Sequence, residues 1–155
     1  MKSCFVMQPF DNGKFDKRFK EIIEPVVFEC GFTPYRVDKD DAADVLIESI
    51  EQTISESDFC IAEITTNNPN VWYELGFASA KGKKVIMICS DERGDEPYPF
   101  DVRHRNILRY STKAPSDFDL LKERLKRRID SSFKSVSEQT LSELEKQLLS
   151  FIVTV

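Results

Sequence analysis

A single histidine, His104, in 155 residues gives a Ser-His-Asp relay little support, and it sits in a charged loop where histidine is ordinarily a solvated side chain. No P-loop signature, no Gly-x-Gly-x-x-Gly turn, no His-Glu-x-x-His and no paired Cys-x-x-Cys occurs, which removes the commonest phosphate-cradling and zinc-binding readings. No metal is expected. The four cysteines, Cys4, Cys30, Cys60 and Cys89, have spacings that fit neither metal ligands nor a small secreted disulfide scaffold; lying in apolar segments, they read as buried thiols of a reducing cytosol. No segment approaches the roughly 20 apolar residues that span a bilayer, and no apolar run follows a basic N-terminus. A cytoplasmic protein without a membrane partner is the expectation. Positive charge is short too: 22 Lys and Arg against 27 Asp and Glu leave a formal charge of -5, which argues against gripping a nucleic-acid backbone.

What is present is the balance of a soluble globular domain, 41% hydrophobic and 32% charged, in a chain long enough for one core and too short for two. Short apolar runs at Ser3–Gln8, Phe32–Val37, Phe59–Ile64 and Lys84–Cys89, with a shorter one at Ile107–Tyr110, read as strands. Between them lie helical patterns. Phe15, Phe19, Ile22, Ile23, Val26, Val27 and Cys30 form one stripe, in which Pro25 predicts a kink because it lacks an N–H and crowds the carbonyl of Glu21. Strand and helix alternate without hairpin signals, so the sequence predicts an α/β fold: a flavodoxin-like, doubly wound, parallel five-stranded sheet with a C-terminal helical tail. The α/β domain is assigned to residues 1–133 and a separate tail helix to 134–155, carrying Leu141, Leu144, Leu148 and Ile152 on one face and a possible capping box at Ser135–Glu138. In such sheets ligands bind at the carboxyl ends of the strands, where strand order reverses.

The stretch Asn67–Lys84 holds the residue that asks for an explanation. Asn68 caps a helix with Pro69 at its first position, Gly82 ends it, and Glu74 shares a face with Val71 and Ala78, flanked by Leu75. An acid in the first turn, facing the sheet beside the ligand edge, is predicted to be ionised and short of water. That suits stabilising, or attacking, a sugar cation as an N-glycosidic bond breaks. Gly76, poor for a helix, predicts close approach of another backbone or a ligand.

The run from Asn68 to Ala78, after a strand beginning Ser57-Asp58-Phe59, resembles the nucleoside 2-deoxyribosyltransferase-like and TIR-like superfamily, as does Phe5-Val6-Met7-Gln8-Pro9-Phe10. Glu74 to Ala78 match the Glu-Leu-Gly-x-Ala pattern in which ribosyltransferases carry their nucleophile, and Trp72-Tyr73-Glu74-Leu75 approximates the TIR arrangement. The resemblance covers about Lys2 to Tyr110. It implies cleavage of the N-glycosidic bond of a nucleotide or nucleoside, by hydrolysis or base exchange, sometimes in antiviral defence. Asn68 and Asn70 stand where the transferases often place a sugar-binding acid, which turns the expectation from deoxyribose toward NAD, as substrate rather than cofactor, or another ribonucleotide. Such enzymes often complete a cleft across an interface, so a homo-oligomer is expected. The alternative is a nucleotide-sensing or protein-interaction module on the same fold.

Further candidates lie in the loops at the expected cleft. Gln8 and Phe10 follow the first strand and could touch base or sugar; Asp38 ends the second and could bind a ribose hydroxyl; Glu63 ends the third. Tyr73 and Asn70 are expected to line the sugar. Phe100, Arg103 and Arg105 share a loop whose cations could neutralise a substrate phosphate.

Overall fold

The computed structural model describes residues 1–37, 45–102 and 105–153. Five strands, β1 (Ser3–Met7), β2 (Thr33–Tyr35), β3 (Phe59–Glu63), β4 (Val85–Ser90) and β5 (Leu108–Tyr110), pair in the order β2-β1-β3-β4-β5, every pair parallel. This is the flavodoxin-like order, and it reverses between β1 and β3. The second strand is shorter than its apolar pattern, as suits an edge with one neighbour.

Period-two alternation divides the sheet's side chains between two cores. Val6, Phe59, Ile61, Ile88 and Leu108 pack against the turn Phe19–Ile23 that follows α1 (Lys14–Arg18), against α2 (Glu24–Glu29) and against α5 (Pro115–Val153). Phe5, Met7, Cys60, Ala62, Met87 and Cys89 pack on the opposite face against α3 (Val45–Glu56) and α4 (Pro69–Ala80). With both faces covered, nearly every β3 and β4 residue is buried, which is why these strands read as unbroken apolar runs.

The kink predicted at Pro25 takes a specific form. Helices α1 and α2 are joined by a π-helical turn, Phe19–Ile23, after which the Glu24 N–H bonds to the carbonyl of Phe19. The wider turn lets the chain accept a residue with no N–H and a bulky ring without ending the helix. Gly31 and Gly82 take φ of +85° and +70° just past α2 and α4, as helix-ending glycines do.

The tail helix expected to begin at residue 134 is not a separate element: α5 is one helix of 39 residues. No glycine or proline occurs between Ser116 and Val153, so nothing in the backbone stops it, and the Ser135–Glu138 pattern lies inside the helix, where a capping box has no free N–H groups to serve. Leu121, Leu125 and Ile129 anchor α5 in the core, whereas Leu144, Leu148 and Leu149 are exposed. Among the described residues no helix is long and apolar enough to cross a membrane.

Candidate functional site

Helix α4 starts at the carboxyl edge of the sheet and runs back beneath it. Asn68 caps it as expected, its side-chain oxygen accepting from the backbone N–H groups of Asn70 at 3.0 Å and Val71 at 3.2 Å. The side-chain oxygen of the candidate Asn68 is therefore committed to holding the helix. Asn68→Ala is expected to cost about 1 kcal/mol in equilibrium unfolding, and Asn68→Asp, which keeps the acceptor, to cost nothing measurable.

Glu74 points inward with 4% of its surface exposed, as the apolar pattern around it predicts. It stands in the second turn of α4, not the first, so the helix dipole expected to hold its charge contributes little there. It lies near the Cys60 thiol: burial pushes Cys60 up to about 12, the Lys83 charge opposes this, and the Glu74 charge adds to it. Neither a backbone nor a side chain among the described residues crowds Gly76, where an added methyl would meet nothing within 4 Å, so of the two expectations there the close approach of another backbone is not found.

At about 100° per residue, Trp72 and Ser79 lie about 160° and 140° round α4 from Glu74. Phe100 packs its ring 5.6 Å from Trp72, and Arg105 donates to the Ser79 hydroxyl at 3.2 Å. Phe100 and Arg105 thus lie on the flank of α4 turned away from Glu74, contrary to the expectation that they gather at its cleft. Topology is the reason: β4 ends at the carboxyl edge and parallel β5 begins at the opposite edge, so the connection descends over β4 and β5, beside α4. Glu74 faces the other flank, toward α3 and the β1–β3 reversal. Tyr73 also turns toward α3; it is half exposed and donates its hydroxyl to Glu51. Asn70 is exposed, with only its backbone engaged at the cap. Gln8 is buried, donating to the Phe15 carbonyl at 2.8 Å and accepting from Arg36 at 3.2 Å, and the Arg36 guanidinium stacks 4.0 Å from the Phe10 ring. Both residues are tied into the fold at the end of β1. Asp38 and Arg103 lie outside the described residues.

Glu63 is 1% exposed and, by strand alternation, lies on the sheet face opposite Glu74. It is sealed from solvent rather than open to a cleft as expected, its partners being described residues of the fold. One carboxylate oxygen accepts from the Thr65 N–H at 2.9 Å and from the Thr65 hydroxyl; the other accepts from the Tyr110 hydroxyl at 2.6 Å. Arg18 donates to the same Tyr110 oxygen at 3.3 Å and pairs with Glu92, and the Thr65 hydroxyl accepts the Ser90 N–H at 2.8 Å. One polar network thereby joins the tips of β3, β4 and β5 to α1.

Burial raises the Glu63 carboxyl above its ordinary 4.5, against the opposing effects of the Thr65 and Tyr110 hydrogen bonds and the Arg18 charge. A folded-state value above the unfolded one means that the group favours the fold fully below the unfolded value and that this contribution is lost as pH rises through the folded value. Tyr110→Phe deletes a bond that favours the ionised form. Its stability deficit is therefore expected to be larger at neutral than at acid pH in equilibrium unfolding; an equal deficit at both would show that Glu63 is not the group responsible.

Arg93, unforeseen because its segment reads only as a polar loop, is buried and uses its whole fork. It donates to the carbonyls of Ile64, Thr65, Glu96 and Pro97 and to the side chain of Asn67, at 2.5–3.3 Å. It fastens the β3–α4 loop to the segment after β4. Arg18 was also missed, though its place three residues after Phe15 and four before Ile22 puts it on the apolar stripe, where a charge needs a buried partner.

The architecture defines the class of fold, a flavodoxin-like, doubly wound parallel sheet, and solved structures of two nucleoside-processing enzymes share it. The Clostridium botulinum CMP N-glycosidase BcmB has a similar structure, with a TM-score of 0.52 and 21% identity over 77% of this chain and 98% of that one. So does a 2-deoxyribosyltransferase from Bacillus psychrosaccharolyticus, with a TM-score of 0.52 and 14% identity over 77% of this chain and 90% of that one. No family model and no curated protein matches the chain.

Proposed function

We propose that the protein breaks the N-glycosidic bond of a nucleoside or nucleotide, with Glu74 as nucleophile or cation stabiliser. The observation that carries this reading is the buried carboxylate of Glu74 near Cys60 of β3, in a sheet whose strand order reverses between β1 and β3, where doubly wound sheets take their ligands. The Glu-Leu-Gly-x-Ala match at Glu74–Ala78 supports it, as does a fold shared with a CMP N-glycosidase and a 2-deoxyribosyltransferase.

In the nucleophilic form a Glu74 oxygen attacks C1′ as the bond to the base breaks, and the base leaves with the electron pair and takes up a proton. Water or a second base then attacks C1′ and frees the carboxylate, giving hydrolysis or exchange respectively. Burial strengthens the attraction between carboxylate and developing sugar cation. The substrate range extends to ribonucleotides, NAD included, because Asn68 and Asn70 replace the acid that often holds the deoxyribose, and Asn68 is spent as a cap. A panel of nucleosides, nucleotides and NAD, with released base followed by chromatography, tests the reading; binding without release across the whole panel overturns it.

A second reading, assembly through α5, rests on the exposed Leu144, Leu148 and Leu149. On that reading the chain is a homo-oligomer, Leu144→Ala with Leu148→Ala dissociates it in light scattering, and Glu74→Ala leaves the assembly intact.

A further inference from the structure

We propose a second ligand site, on the sheet face opposite Glu74: a cleft between α1 and the start of α5 that binds a phosphorylated small molecule. The cleft encloses about 560 Å³, a volume suited to a metabolite. Five cations line it, Lys14, Lys17, Arg18, Lys113 and Lys122, against the carboxylates of Glu21 and Asp119. In a chain whose formal charge is -5, this local excess of positive charge runs against the whole.

Arg18 supplies the second observation. It is 9% exposed at the cleft, where burying a guanidinium is costly unless its donors are used. A guanidinium has five N–H groups. Arg93 engages all of its own, whereas Arg18 makes two hydrogen bonds, to Tyr110 and Glu92, so that three of its N–H groups have no acceptor among the described residues. Glu92 is the carboxylate already in contact with it, shared with Lys14. The side-chain ammonium groups of Lys17, Lys113 and Lys122 make no ion pair or hydrogen bond with a described residue, the bonds of Lys17 to Gly13 and of Lys113 to Asp117 being made by their backbone N–H groups. A fork with donors to spare beside unpaired ammonium groups matches the oxygens of a phosphate, which takes both kinds of contact. Ile22, Pro115 and Phe118 form an apolar wall next to these cations, so the ligand is an organic phosphate with an apolar or aromatic body rather than a bare ion.

Phenyl phosphate is the probe, since it carries both parts and no glycosidic bond. Titrated into the full chain by calorimetry at physiological ionic strength, it is expected to bind saturably and more tightly than inorganic phosphate. Lys17→Glu with Lys113→Glu, both at exposed positions, is expected to weaken that binding at least tenfold, and Arg18→Lys, which keeps the charge but loses the fork, to weaken it as well. Reversing Lys2 and Lys81 instead, away from the cleft, is expected to change it less than twofold. Glu74→Gln leaves it unaltered, so failure of the glycosidic reading and failure of this site are distinguishable. Absence of saturable binding by the wild type, no preference over inorganic phosphate, or equal losses in the two double variants overturns the proposal.

Discussion

Glu74→Gln is expected to lower the rate of base release by about a thousandfold or more while leaving the fold unchanged. Glutamine keeps the volume and one oxygen of glutamate, so the packing against Val71 and Ala78 persists. What it loses is the negative charge and the lone pair that would attack C1′. The comparison is made under single-turnover conditions on whichever substrate the wild type turns over best, with thermal unfolding of both proteins alongside. A variant that folds normally and releases base within tenfold of the wild type removes Glu74 from the chemistry. Glu63 could not then take its place, being sealed on the other face with both oxygens already accepting hydrogen bonds.

Arg93→Ala is expected to cost about 3 kcal/mol or more, among the largest single losses for a residue outside the apolar core. The truncation strands the carbonyls of Ile64, Thr65, Glu96 and Pro97 in a partly buried setting, where an unmade hydrogen bond costs more than a made one gains. Against a typical total of roughly 5–15 kcal/mol the variant should be marginal. The check is the urea midpoint at constant slope, with Arg93→Lys recovering only a small part because one ammonium cannot span five acceptors. A midpoint within experimental error of the wild type would show that the two segments hold together without the clamp.

Much of the architecture was legible because the signals were periodic. The apolar runs gave five strands, the alternation with helices gave a parallel sheet, and the spacing around Glu74 gave its inward direction. Direction on a helix is set by local geometry, which a sequence carries. The flank of α4 against which Phe100 and Arg105 lie is set by where β5 begins, a non-local fact, and so both were expected beside Glu74 and stand on the flank turned away from it. Glu63 shows the same limit at the scale of one strand. Its place at a strand end was readable, but the partner that seals it, Tyr110, lies 47 positions away. Arg93 left no periodic trace at all, since its acceptors are mostly backbone carbonyls, which no side-chain pattern encodes.

The π-helical turn at Phe19–Ile23 has a consequence for insertions and deletions in this part of the chain. Its extra residue resets the angular phase of everything before it by about 100° relative to everything after. Phe15 and Arg18 on one side, and Ile22 to Val27 on the other, therefore reach the same sheet face only while that surplus is kept. Excising one residue between them would restore a regular α-helix and, in doing so, swing the guanidinium away from Tyr110; the irregular spiral is the one in register with the strands.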